Sequence, residues 1–468
     1  MPDEPTPLDP GHWAARLSDL AGRHGVPGAQ LGILRLSPDG GQETAAVAHG
    51  VLDTDTGHPV TPRSAFQIGS VSKVWTATVV MGLVEEGLLA LDTPVAEVLP
   101  ELVPSAGATT AGVTVRHLLT HTSGIDGDLF TDTGRGDDAI ERYVAPLADA
   151  LRVHPLGATF SYCNSGFVLL GRIIERLTGQ VWDEAMRDRL FAPLGLERTG
   201  TLPEHALLND PATGHVEGLP DPVRTTQWGL PRAIGPAGGV TADVGDVLAF
   251  AALHLRGGTT ADGTRLLSRD TVRAMAEPQV GLPDPYTLGD SWGLGWIRYD
   301  WDGHRAIGHD GNTIGQSAFL RLLPGEGLAV ALLTNGGRTR DLYQDLYREV
   351  FEALAGVRVP GALEPPADPP HHDVTPHLGV YEGAAGRLEV LAGADGPVLR
   401  STALGPLAEL RPDPVQEHPM AAVAPGVYAT RPEDAVTWSP VTFYRLETGQ
   451  EYAHRNGRAL PRVDSPAV

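Results

Sequence analysis

Phe66-Gln67-Ile68-Gly69-Ser70-Val71-Ser72-Lys73 leads into a run in which Val74, Ala77, Val80, Leu83 and Val84 recur at helical spacing up to Gly87. The spacing predicts a buried helix with Ser70 at its N-terminal end. Ser70 and Lys73 then lie on neighbouring turns of one face. Backbone N–H groups and the positive end of the helix dipole favour a developing alkoxide at Ser70. Burial and the same dipole push the Lys73 amine toward its neutral form, able to take the serine proton. Ser-x-x-Lys alone arises often by chance. Composition strengthens it: Lys and Arg total 35, and Lys73 is the one lysine among them. Arginine replaces lysine wherever a fixed charge suffices, but not where the group must lose a proton. The alternative is chance survival of one lysine in an Arg-rich chain.

Outward from this helix, residues 12–24 read as an amphipathic helix, followed by strands at 29–36 and 43–51 that form a hairpin. Phe167, Leu170, Ile173, Ile174 and Leu177 form a helical stripe after Asn164 that ends at Gly179. Residues 243–256 read as a helix capped by Asp243. Residues 296–299, 318–323 and 328–334 read as strands joined by Asp302-Gly303 and Pro324-Gly325 turns, with a helix at 339–355. Strands at both ends of a helical middle predict an α+β domain, an antiparallel sheet with helices packed on it. The stretch 360–376 holds six prolines and reads as a linker. Short β-like runs beyond it, at 378–381, 387–390, 398–401, 426–430, 441–445 and 451–454, predict a small β barrel or sandwich. The domains are then 1–359 and 377–468, with 360–376 between them.

Two further stretches carry chemistry. Phe160-Ser161-Tyr162-Cys163-Asn164-Ser165-Gly166 precedes the second apolar helix. A tyrosine hydroxyl relays protons if nearby cations lower its pKa, and an asparagine suits a substrate amide. The same residues also fit an ordinary loop and helix cap. Gly308-His309-Asp310-Gly311-Asn312 lies on an expected strand, where Gly311 permits close approach of a substrate backbone. The Asn312 N–H, paired with that of Ser70, would make an oxyanion hole. The alternative is a glycine-rich turn with a surface histidine. Trp228, Trp292 and Trp296 are candidates either for a peptide cleft or for the core.

The net charge of −23 repels phosphate backbones and anionic lipid, which argues against nucleic-acid and membrane-surface partners. No stretch approaches the apolar length of a membrane span. The start, MPDEPTPLDPGHW, is acidic where a secretory leader is basic, and the single cysteine, Cys163, excludes an internal disulfide. A cytoplasmic location is expected.

With these motifs in this order, the sequence resembles the penicillin-binding-protein and serine β-lactamase superfamily, especially its class C-like branch. Arg116-His117-Leu118-Leu119-Thr120-His121-Thr122-Ser123-Gly124 and Pro236-Ala237-Gly238-Gly239-Val240 support the resemblance, which spans about 10–356. It implies a β-lactamase/transpeptidase-like domain with a helical subdomain. It also implies that Ser70 is the acylated nucleophile and Lys73 its base, with Tyr162 and Asn164 as the second motif. The third motif of the superfamily is usually Lys-Thr-Gly; here it is His309-Asp310-Gly311. Neutral, shorter histidine weakens recognition of a β-lactam or peptide carboxylate.

His-x-Gly forms occur in esterases, D-aminopeptidase-like enzymes and amidases, and in penicillin-binding-protein-type thioesterases that cyclise nonribosomal peptides. The chain resembles the last group most, through Arg23-His24-Gly25-Val26-Pro27-Gly28-Ala29-Gln30-Leu31, His-x-Gly and the C-terminal β module. In that group the module is lipocalin-like and leans over the active site, so Arg455 or Arg458 is a candidate for holding the substrate. The resemblance implies a peptidyl thioester on a carrier protein of a nonribosomal peptide synthetase as substrate. It implies release as a cyclic peptide, with no metal or organic cofactor. A serine esterase or D-amino-acid peptidase or amidase is the second expectation, and a non-catalytic scaffold the third.

Overall fold

The computed structural model describes residues 8–463 except 38, 103–111, 217–221, 369–371, 395, 406–407, 409–412 and 433–436. Part of the Pro-rich stretch, at 369–371, and the first seven residues therefore lie outside the described residues.

An eight-stranded antiparallel sheet carries the larger part of the chain. Its order is Gln42–Gly50, Gly28–Leu36, Leu328–Thr334, Ser317–Leu323, His304–Asn312, Ile297–Trp301, Ser291–Trp292 and Val280–Gly281. The N-terminal hairpin thus pairs with the last strand of this unit, with Ile33 opposite Val330. Strand Leu328–Thr334 is buried throughout because both faces are covered. Val330 and Leu332 meet helices Pro10–Arg23 and Thr339–Ala355, packing with Leu17, Leu20, Leu342 and Leu346. Ala329, Ala331 and Leu333 face the opposite core, with Val244 and Leu248. That core also holds helices Ser72–Glu85, Asn164–Thr178 and Val244–Leu255. Helix Ser72–Glu85 is buried nearly all round, as apolar residues on every face require.

Residues 379–463 form nine antiparallel strands ordered Val415–Pro419, Gly396–Ala403, Gly386–Gly393, Gly379–Gly383, Arg458–Val463, Glu451–Arg455, Ser439–Arg445, Val427–Thr430 and Ala421–Ala424. The two end strands of that order are separated in sequence by Met420 alone. The sheet must therefore curl until its edges meet, giving a nearly closed barrel filled by Tyr381, Leu388, Leu399, Tyr428, Val441 and Phe443. Three barrel strands are absent from the sequence expectation: Val415–Pro419, Ala421–Ala424 and Arg458–Val463. The first is mostly exposed and so lacks an apolar alternation, and Pro461 interrupts the third. Barrel and sheet domain touch through Ala459 N, which donates to Ser161 Oγ at 3.1 Å, and through the Thr159 and Tyr444 hydroxyls, also 3.1 Å apart.

Candidate active site

The Ser70 stretch does not begin as an α-helix. Gly69–Val71 form a 3-10 turn that passes into helix Ser72–Glu85. Lys73 is fully buried, with Nζ 3.0 Å from Ser70 Oγ and donating to the Ala237 carbonyl at 2.6 Å. Burial is the main force holding the Lys73 amine well below the ordinary lysine range, and the Arg458 charge adds to it. Asp128 and Cys163 act in the opposite direction.

Tyr162 lies at the mouth of the second apolar helix, Asn164–Thr178, whose N-cap is Cys163 rather than Asn164. The centroid of its ring is 4.8 Å from Lys73 Nζ, and the neighbouring Ser70 side chain favours ionisation of its hydroxyl. The condition that nearby cations lower its pKa is not met. Burial pushes the phenol up and outweighs the opposing effects of the Ser70 side chain and the Arg458 cation, so the hydroxyl stays neutral. Cys163 is likewise raised to about 12 by burial, leaving an inert thiol.

His121, quoted above only within a supporting stretch, cradles this tyrosine. Its carbonyl accepts from Ser161 N and its Nδ1 from Cys163 N, both at 2.9 Å. Its ring stacks on Tyr162 at 4.4 Å. The proton of the neutral imidazole is therefore on Nε2, and burial keeps the ring uncharged. A backbone φ of 57° at His121, rare outside glycine, makes this bracket possible.

His309 is buried, with Nδ1 2.6 Å from the Asp310 carbonyl and its ring edge-on to Trp292. Nδ1 donates there, which leaves the Nε2 lone pair unprotonated. Burial, with Lys73 adding, pushes its pKa down to about 3. Asp310 points to the other face of the strand, ion-paired with Arg321 at 2.6 Å and Arg340 at 2.7 Å. Gly311 and Asn312 press against the nucleophile turn. A Cβ on Gly311 would sit 1.9 Å from the Ile68 carbonyl oxygen and 2.9 Å from Ser70 N, and one on Gly69 would lie 2.6 Å from Asn312 N. The Ser70 and Asn312 backbones are thereby brought side by side.

Asn164 is buried, and its Nδ2 donates to Asp128 Oδ1 at 2.8 Å. Asp128 also accepts both arms of a fork from Arg458, at 2.9 Å each. That guanidinium lies 4.8 Å from the centroid of the Tyr162 ring. Of the two candidate arginines, Arg458 is the one that reaches the tyrosine, while Arg455 lines the adjoining cleft. The turn Arg455–Arg458 is seated by Tyr162 N, which donates to Gly457 O at 2.8 Å. Trp228 is half-buried with its indole N–H given to the Ala212 carbonyl, and its own carbonyl accepts from the Gln67 side chain. Trp292 packs beneath Tyr162 and His309, and Trp296 stacks with Phe250, so both are core residues. Neither Asp128 nor His121 carried a sequence signal for its place here, because each acts through contacts distant in sequence.

Among the described residues there is no cluster of side chains able to hold a metal ion and no helix long and apolar enough to cross a membrane.

The sequence profile of the β-lactamase family matches residues 13–355. The chain is 46% identical to penicillin-binding protein 4 of Amycolatopsis lactamdurans over 383 residues, covering 81% of this chain and 99% of that protein. It is 30% identical to esterase EstB of Burkholderia gladioli over 380 residues, covering 70% of this chain and 92% of that one. Among solved structures it is similar to SurE, with a TM-score of 0.76 and 29% identity over 97% of this chain and 99% of the other. A SurE structure with D-Leu matches with a TM-score of 0.75. The family match covers the domain that holds Ser70, and the SurE likeness extends to the barrel that carries Arg458: the chain belongs to the β-lactamase family, and within that superfamily it resembles the penicillin-binding-protein-type thioesterases.

Proposed function

We propose that Ser70 takes the acyl group of a peptidyl thioester, carried on a nonribosomal peptide synthetase carrier protein, and releases it as a head-to-tail cyclic peptide. The observation that carries this reading is the seating of the barrel on the serine–lysine site, with Arg458 against Tyr162. The similarity to SurE over nearly the whole chain, barrel included, supports it.

Neutral Lys73 takes the Ser70 proton as Oγ attacks the thioester carbonyl, and the Ser70 and Asn312 amides receive the oxyanion. The proton passes through the neutral Tyr162 hydroxyl to the departing thiolate. In the second half the peptide's α-amine attacks the acyl-enzyme. Its proton returns through Tyr162 and Lys73 to Ser70 Oγ, with the free Nε2 of His309 as a further acceptor. The SurE structure with D-Leu supports a D-configured acyl terminus. Such a reaction belongs in the cytoplasm, beside the carrier protein.

Incubation with a linear peptidyl thioester mimic tests the reading, followed by product analysis and intact mass. A cyclic product is expected. Linear acid alone, with Ser70 acylated in transit, favours instead a serine esterase or amidase, a reading that the similarity to esterase EstB supports. Gly311→Ala is expected to slow acylation about 10²-fold, since the added methyl would drive the Asn312 amide from Ser70. Single-turnover acylation checks this, with circular dichroism to establish the fold.

A further inference from the structure

Between the sheet domain and the barrel lies a cleft of about 290 Å³, bounded by Asp126, Asp128 and Tyr162 on one side and by Ala384, Arg387, Arg455 and Arg458 on the other. Its two carboxylates are in different electrostatic situations. Asp128 is neutralised by the Arg458 fork. Asp126 is 7% exposed, accepts the Ala384 N–H at 2.7 Å, and makes no salt bridge among the described residues. Burial pushes its carboxyl pKa upward and the neighbouring Asp128 charge adds to the shift, against the smaller opposing pull of the Ala384 N–H and the Arg458 charge. A buried carboxylate without an ion-pair partner in contact is unfavourable, and at the wall of a cleft a ligand cation relieves it.

We propose that Asp126 receives the α-ammonium of the peptide's free N-terminus, an inference that rests on the acyl-enzyme reading above. Head-to-tail closure requires that terminus beside the acyl carbon, and the cleft opens at Tyr162, whose ring borders Lys73. Arg458 occupies Asp128, so Asp126 is the carboxylate left for an incoming cation. The bound ammonium loses one proton to solvent. The amine then forms the C–N bond as the C–Oγ bond breaks, and the nitrogen's next proton passes through Tyr162 and Lys73 to Ser70 Oγ, regenerating the hydroxyl. The site is a binding and orienting device for the nucleophile.

The test compares a peptidyl thioester mimic bearing a free N-terminus with its N-acetylated counterpart, in wild type, Asp126→Asn and Asp126→Glu. Asparagine keeps an oxygen for the Ala384 N–H, so the barrel contact survives. Wild type is expected to favour the free amine about tenfold in kcat/KM, and in Asp126→Asn this preference falls to about one, with the cyclic-to-linear ratio also down about tenfold. Asp126→Glu, which restores the charge, keeps the preference. A merely structural role would slow both substrates equally and leave the wild-type preference in place, and that result overturns the proposal. If wild type yields only linear acid, the cyclase reading fails. The free-over-acetylated preference still decides the subsite: retained in Asp126→Asn, or missing from wild type, it refutes the subsite; lost in Asp126→Asn, it upholds it.

Discussion

Lys73→Arg abolishes acylation of Ser70, with a rate loss of about 10³-fold or more, because a guanidinium cannot lose its proton near neutral pH. The structure sharpens this expectation. Lys73 is fully buried, so its neutral form is the one the site stabilises. The longer arginine also strains a closed pocket, by about 1–3 kcal/mol. Lys73→Met separates the two effects, since it keeps the volume and removes only the base. Both variants are expected to leave Ser70 unmodified when a thioester mimic is followed by intact mass over seconds. An Arg variant that acylates at the wild-type rate would remove deprotonation of Lys73 from the mechanism. In wild type the acid limb of the acylation rate should fall below the ordinary lysine range, in keeping with the direction of the Lys73 shift.

Arg458→Gln is expected to move that limb to higher pH. Arg458 lowers the Lys73 pKa and Asp128 raises it, so deleting the arginine leaves the carboxylate to favour the protonated amine. The active, neutral fraction of Lys73 at neutral pH then falls about tenfold for each unit the limb moves. Asp128 also loses its cation. The destabilisation is about 2 kcal/mol, below that for a fully buried pair, because 32% of the Arg458 side chain is in solvent. Combining Arg458→Gln with Asp128→Asn removes both opposing charges, and the limb is expected to return toward wild type. Rate profiles from mildly acidic to alkaline pH, with Tm for each variant, check this. An unmoved limb in the single variant would show that burial alone sets the Lys73 pKa.

The helices Ser72–Glu85 and Asn164–Thr178 and the strand Leu328–Thr334 are legible because apolar spacing is local and each element is largely buried. Strand Val415–Pro419 is not, since most of its side chains are exposed and its pairing alone makes it a strand. The protonation state of Tyr162 was not legible either. A cation does lie over its ring, but burial outweighs it, and burial is set by Phe160, Trp292 and His121 packing around the residue.

Residue order suffices for the serine–lysine pair, because a spacing of three within a helical turn brings two side chains together whatever surrounds them. It likewise determined that the third motif carries an imidazole in place of a fixed cation. Which arginine enters the site depends instead on long-range packing. Arg455 and Arg458 flank one turn of the barrel, and only the seating of Gly457 on the Tyr162 backbone turns Arg458 toward Asp128. Asp126 follows the same logic: its burial against Ala384, with no salt bridge among the described residues, is a property of the interface between sheet domain and barrel. Such contacts join residues hundreds of positions apart, and no local spacing encodes them.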